Sequence, residues 1–240
     1  MNNIKQLLFT QSKIFSTFIG LSVFSLFILM IRMKLTHSYY YLFLVWNLFL
    51  AFIPFFISTY LSFQQKINSV ILITISIVWL LFLPNAPYII TDLFHLQYSH
   101  PNRIWLDVLT ISAFAVTGMY FFYQSLLTME IIFKKKFGKT TSTYITPILI
   151  VLVAFGVYLG RYLRFNSWEV LSQPLSIFES ITSIIFNPKT HYNAWLFTAL
   201  FALFLAVFYY AFKSNNNKKA SWLGSFFILI IIWIVWICSI

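Results

Sequence analysis

On a helix, Asn85, Tyr88, Asp92 and His95 fall at i, i+3, i+7 and i+10, so they form one polar stripe on an otherwise apolar segment. Such a stripe requires water, a partner or a ligand. Asp92 and His95 place a carboxylate and an imidazole one turn apart. That pair can move a proton near neutral pH, or ligate a metal if His100 or Asp107 completes the shell. The plainer alternative is an ion pair from Asp92 to an arginine, with His95 as a satisfied interfacial donor. Asp92 and His95 are therefore the candidate catalytic residues, and Asn85 and Tyr88 the candidate substrate-binding groups. No metal site is assigned.

The expected arginine comes from Gly160-Arg161-Tyr162-Leu163-Arg164-Phe165-Asn166-Ser167-Trp168. Arg161 lies about 33 Å along its helix from Lys139 at about 1.5 Å per residue, which brings it near the level of Asp92. Guanidinium groups suit phosphate or carboxylate, so Arg161, Arg164, Asn166 and Trp168 join the candidate substrate-binding set, with Trp168 packing beside the ligand. The commoner role for two such arginines is to snorkel to lipid headgroups. Asp107, in the first turn of the next helix, faces the same compartment.

The elements that must position these groups are membrane helices. Of 240 residues 60% are hydrophobic and 9% charged, against about 25% charged in an ordinary soluble domain. Most of the apolar runs reach or pass the roughly 18 residues a spanning helix needs, and they lack the alternation of barrel strands. Candidate spans are Ile14 to Ile31, Tyr39 to Phe63, Val70 to Leu83, Trp105 to Phe133, Thr143 to Gly160, Ala194 to Phe212 and Trp222 to Ile237. Lys5 and Lys13 precede the first, but no small-residue cleavage pattern follows it, so it reads as a retained helix. The expectation is an all-α, polytopic bundle of about seven helices, with residues 1–240 forming a single integral membrane domain.

Within that bundle the third helix is expected to break at Pro84 to Pro87, with Asn85 capping the new segment and Pro87 in its first turn. Pro54 is either a hinge or a tolerated kink. Ser176 and Glu179 fit a capping box ahead of Ile177, Phe178, Ile181, Ile184 and Ile185, which predicts a short amphipathic helix lying at the outer interface. It reads as a passive anchor or as a lid over a lateral entry for lipid. Glu130 precedes Lys134 by four residues and reads as a local ion pair.

Orientation follows from counting cations. In the seven-span arrangement one side carries ten, Lys5, Lys13, Lys66, Lys134, Lys135, Lys136, Lys139, Lys213, Lys218 and Lys219. The other carries six, Arg32, Lys34, Arg103, Arg161, Arg164 and Lys189. The positive-inside bias then places the N-terminus in the cytoplasm, the C-terminus outside and the polar stripe on the extracytoplasmic face. The net charge of +11 is thereby explained without nucleic acid. Cys238 is the single cysteine, which excludes an internal disulfide. Nucleophile elbows, His-Glu-x-x-His pairs and phosphate-binding Gly-rich loops do not occur.

The run Pro84-Asn85-Ala86-Pro87-Tyr88-x-x-Thr91-Asp92-Leu93-x-His95-Leu96, together with Gly160-Arg161-Tyr-Leu-Arg164-Phe-Asn166-Ser-Trp168, resembles the bacterial membrane family called domain of unknown function 1361. The resemblance covers most of the multi-pass region. It implies a bacterial plasma membrane and a shared site at the matching positions, and it transfers no activity. Three functions fit these residues. One is a membrane-embedded enzyme acting on a lipid-linked or envelope substrate, an anionic ligand at the outer face. The others are a transporter and a non-catalytic scaffold or assembly protein. The bilayer is the one certain partner; cofactor and oligomeric state are left open by the residues.

Overall fold

The computed structural model describes residues 2–64, 66–165, 167 and 169–217, and among these the chain is helical, with no strand. The α-helices are α1 (Asn2–Thr36), α2 (Phe43–Phe63), α3 (Ser69–Phe82), α4 (Asn85–Thr91), α5 (Ile104–Phe137), α6 (Lys139–Tyr162), α7 (Glu169–Ser172), α8 (Pro174–Phe186) and α9 (Tyr192–Asn217). Short 3₁₀ segments precede α2, follow α4 and precede α5. Six helical runs are long and apolar enough to cross a membrane: Ser12–Thr36, Tyr40–Phe63, Ser69–Tyr98, Pro101–Phe137, Lys139–Tyr162 and Tyr192–Ser214. The chain is thus a multi-pass membrane protein. The expected span Trp222 to Ile237, with Cys238, lies outside the described residues.

The bundle is organised around α5, which packs on α1, α2, α4 and α6 and is the most enclosed of the six spans. Its sequence explains this: Thr110, Ser112, Ala113, Ala115, Thr117 and Gly118 are small, so neighbouring backbones can approach closely where dispersion must replace the hydrophobic effect. Several polar side chains there bond inside the protein, while the buried Ser112 hydroxyl has no hydrogen-bond partner among the described residues. Ser25 Oγ and Thr117 Oγ1 lie 2.9 Å apart. The Ser125 hydroxyl accepts from Trp79 Nε1 at 2.8 Å and lies 2.9 Å from the Pro54 carbonyl oxygen, which ties α2, α3 and α5 together beside the proline.

The third crossing is interrupted at Leu83 and Pro84, yet both residues keep right-handed helical angles. The break is therefore a change of hydrogen bonding and not an unwinding. Pro84 and Pro87 lack donors, and Ala86 N bonds Leu83 O in place of Phe82 O. Asn85 was expected to cap the new segment. Instead its Nδ2 turns back and donates to the vacated Phe82 carbonyl at 2.9 Å. Helical winding then continues through Asp92–Tyr98, tightened to 3₁₀.

Glycines on both sides hold this segment. A Cβ on Gly118 would stand 2.6 Å from Ala86 O, and one on Gly156 would stand 2.7 Å from Pro84 Cγ. Gly160, one turn beyond Gly156, faces the Tyr88 ring. The Gly156-x-x-x-Gly160 spacing is the small-residue stripe that lets membrane helices touch, and it seats the Pro-Asn-Ala-Pro segment against α6.

Two local expectations are corrected. The amphipathic helix α8 exists and buries Ile177 and Ile184, but it starts at Pro174 and not at a Ser176 cap. Ser176 Oγ donates to Gln173 O, because Pro174 takes the first helical position and moves the start upstream. Glu130 does not pair with Lys134. Its carboxylate accepts from Tyr209 and Lys213, since α9 lies against that face of α5.

Replacing Gly118 by Ala is expected to cost about 1–3 kcal/mol, the usual penalty of overpacking, because the new methyl would meet a backbone carbonyl that cannot rotate away. Gly20→Ala, where a Cβ has open space, is the control and should be near neutral. Unfolding of the purified variants in mixed detergent measures both.

Candidate functional site

Asp92 ends up at the meeting point of three crossings, with 1% of its surface exposed. The segment α4 places it one turn above Tyr88, α2 brings Asn47 and α6 brings Arg161. Arg161 Nη1 donates to Asp92 Oδ1 at 3.2 Å, and Asn47 Nδ2 donates to Oδ2 at 2.8 Å. Each carboxylate oxygen thus has a donor from a different helix, which is what a charge in a low-dielectric setting requires.

Arg161 binds more than the carboxylate. Its Nη1 reaches Tyr88 Oη at 3.2 Å, and Nη2 donates to the Thr91 carbonyl at the point where α4 tightens into 3₁₀ winding. The guanidinium also lies over the Tyr88 ring at 5.4 Å and the Phe94 ring at 5.5 Å. The planar fork is used on several sides at once, a task a lysine ammonium does not match.

His95 stands at the rim of this cluster, its side chain one quarter exposed. Its Nδ1 lies 3.1 Å from Asp92 O and 3.3 Å from Arg161 Nη2. The nitrogen can donate to the carbonyl or accept from the guanidinium but not both, so the tautomer selects the partner. Tyr40 and Phe43 flank the ring, at centroid distances of 6.2 and 4.8 Å.

Below the cluster an apolar groove of about 360 Å³ runs between α2, α3, α6 and α8. Trp46, Leu81 and Leu152 form its open side, and Ile177 and Ile181 of α8 close one wall. Its polar end is made by Asn47, Asn85, Tyr88 and Ser167. Asn85 Nδ2 also lies 3.0 Å from Ser167 Oγ, which links the Pro-Asn-Ala-Pro segment to the chain beyond α6.

Tyr88, Asp92 and His95 of the predicted stripe are therefore brought together with Arg161, while Asn85 bonds Phe82 O and Ser167 Oγ. Arg164 is exposed, at φ 60°, past the end of α6, and it does not join the Asp92 cluster. Asn166 and Trp168 lie outside the described residues. Asp107 was expected to converge on the same cluster or to complete a metal shell. It is instead paired with Arg32, whose Nε donates to Oδ1 at 2.9 Å, because α1 and not α4 covers that face of α5. Among the described residues no three His, Cys, Asp or Glu side chains gather as a metal cage.

Three contributors escaped the sequence reading. Asn47 is an amide inside an apolar helix, a signal in itself, since such groups usually bond across helices. Arg32 was treated only as a face charge. Gly156-x-x-x-Gly160 was in plain view as a packing motif.

Arg161→Ala is expected to lower stability by about 3–5 kcal/mol, the cost of leaving one partner of a buried pair alone. Adding Asp92→Asn to that variant should restore a large part of the loss. Detergent unfolding of wild type, both single variants and the double variant tests this.

A family model described as protein of unknown function (DUF1361) matches residues 46–208. The matched stretch runs from the first turn of α2 into α9 and contains Asn47, Tyr88, Asp92, His95 and Arg161, while Arg32 lies before it. No curated protein and no solved structure matches the chain. With well over half of its residues inside that match, the chain belongs to the DUF1361 family.

Proposed function

We propose that this protein is a membrane-embedded enzyme that receives a lipid-linked or envelope substrate at the Asp92 cluster. The groove below the cluster carries this reading. A pair of charges that merely fastens helices needs no apolar channel ending in polar groups, whereas a lipid with a polar head needs both. The chain of such a substrate enters between α2 and α6 past Trp46 and Leu152. Asn47, Asn85, Tyr88 and Ser167 meet its head, and Arg161 supplies the positive potential that favours an anionic one.

Two roles follow from exposure. Asp92 is fully enclosed, so it positions Arg161 and His95 and is not the group that touches substrate. His95 is open enough to do so. With Nδ1–H donating to the Asp92 carbonyl, Nε2 is left unprotonated, as in a general base. Arg164, Asn166 and Trp168 are kept in this reading as candidate substrate-binding groups.

The reading also assigns the cluster to the extracytoplasmic face of a bacterial plasma membrane, within a single membrane domain over residues 1–240. Lysine distribution supports the orientation. Six Lys and Arg fall on the cluster's side and ten on the opposite one.

A scaffold role has its own supporting observation, since a carboxylate saturated by Asn47 and Arg161 is what a helix fastener looks like. His95→Gln separates the two, because it leaves the Asp92–Arg161 pair intact. Lipid extracts of cells lacking the protein, complemented with wild type, His95→Gln or the groove-filling Leu152→Trp, provide the readout. A lipid-linked species is expected to accumulate without the protein and with either variant, while both variants fold normally. An unchanged lipid profile in the absence of the protein would sink the enzyme reading.

A further inference from the structure

Beyond the Tyr40–Tyr41 pair from His95 lies a second cavity, of about 540 Å³, between the α1–α2 turn and the 3₁₀ turn that opens α5. It shares no residue with the groove below Asp92. Its charged and titratable lining comes from three elements: Arg32 of α1, Asp107 of α5, and His100 and Arg103 of the turn between them. Ser38, Tyr41, Ser99 and Asn102 add hydroxyls and an amide.

The guanidinium of Arg32 is fixed before any ligand arrives. Nε is held by Asp107, Nη1 donates to Ser38 O at 3.0 Å, and the group lies 4.5 Å from the centroid of the Tyr41 ring. The ring is oriented in turn by a 3.1 Å contact between its hydroxyl and Ser99 Oγ. Arg103 also lines the cavity, and its Nη1 donates to Leu35 O of α1 at 2.6 Å, which anchors an exposed arginine there. Two guanidiniums face one carboxylate, so the cavity is net positive, and the first turn of α5 adds the positive end of its dipole. Tyr39, Tyr98 and Trp105 stand exposed around this rim, the aromatic belt that marks headgroup depth.

We propose that this cavity binds the phosphate of a phosphate ester, with Arg32 and Arg103 as its cationic walls and Ser38, Ser99 and Asn102 as hydrogen-bonding partners. A buried arginine neutralised by one carboxylate explains a structural pair. It does not explain a second arginine anchored on the lining of the same polar space, which is far larger than a phosphate. That space fits a phosphate together with its polyol substituent. The ligand source is either a lipid headgroup or a soluble ester, and the chemistry of recognition is the same. This inference is independent of any reaction at His95.

The test uses the full chain purified in phosphate-free detergent buffer. Calorimetric titration with inorganic phosphate and with glycerol 3-phosphate reads the soluble source. Mass spectrometry of lipid retained from nanodiscs of phosphatidylglycerol, against nanodiscs of a phosphate-free glycolipid, reads the headgroup source. Saturable binding of at least one phosphate probe is expected, weakened about tenfold or more by Arg103→Gln, the loss of one charge-assisted contact. Asn102→Asp, which places a negative charge at the mouth without touching helix packing, should weaken it similarly and guards against misfolding of the first variant. Binding of the soluble probes assigns a soluble ester, and retention of phosphatidylglycerol alone assigns a headgroup. Failure of every phosphate probe to bind, or binding indifferent to both variants, overturns the proposal.

Discussion

In hydrocarbon no polar group can be left to water, and the tertiary structure of this chain is largely an answer to that constraint. The acidic side chains within its spans are Asp92, Asp107 and Glu130, and each is met by a cation from another helix: Arg161, Arg32 and Lys213 respectively. Many neutral groups are paired as well, as where Trp79 donates to Ser125 across the bundle, although the buried hydroxyls of Ser22, Ser76 and Ser112 have no partner among the described residues. These contacts set the rotation of each helix about its axis, since a turn of either partner would strand a charge. Two of these three ion pairs lie at the face that carries both cavities, and so does the proline interruption of the third crossing.

That interruption works because its neighbours are small. Pro84 and Pro87 remove two donors from the third crossing, and Asn85 and a shifted backbone bond repair part of the loss. The segment still needs close contact on both flanks, which Gly118 and the Gly156-x-x-x-Gly160 stripe provide. Close seating of Tyr88 on α6 is also what carries Asp92 to within reach of Arg161. Packing by glycine and pairing by charge are two ends of one arrangement: a methyl at Gly118 would be felt at the carboxylate.

The two cavities differ in a way their chemistry explains. One is apolar along its length and polar at its end, opens beside lipid-facing side chains, and suits a chain with a head. The other is polar throughout, net positive and ringed by tyrosines at headgroup depth. His95 stands between them, separated from the second by Tyr40 and Tyr41. In the two proposals made above, an apolar tail and a phosphate would lie on either side of the His95 imidazole.

The amino-acid sequence determined the six described crossings, the interruption at Pro84, the interfacial α8 and the polar stripe ending at His95. All of these follow from hydropathy and spacing within a single segment, which are local properties. It also determined that an arginine from the Gly160 to Arg164 stretch would meet Asp92, because depth along a helix is counted residue by residue. Only the tertiary structure decided that the partner is Arg161 and not Arg164, that Asn47 completes the carboxylate's shell, and that Asp107 and Glu130 turn to Arg32 and Lys213. Partner choice depends on which helices are neighbours and on rotation about each axis, about 100° per residue. Neither is written in the hydropathy of one segment, and a cavity is written in none of them, since it exists only between helices already packed.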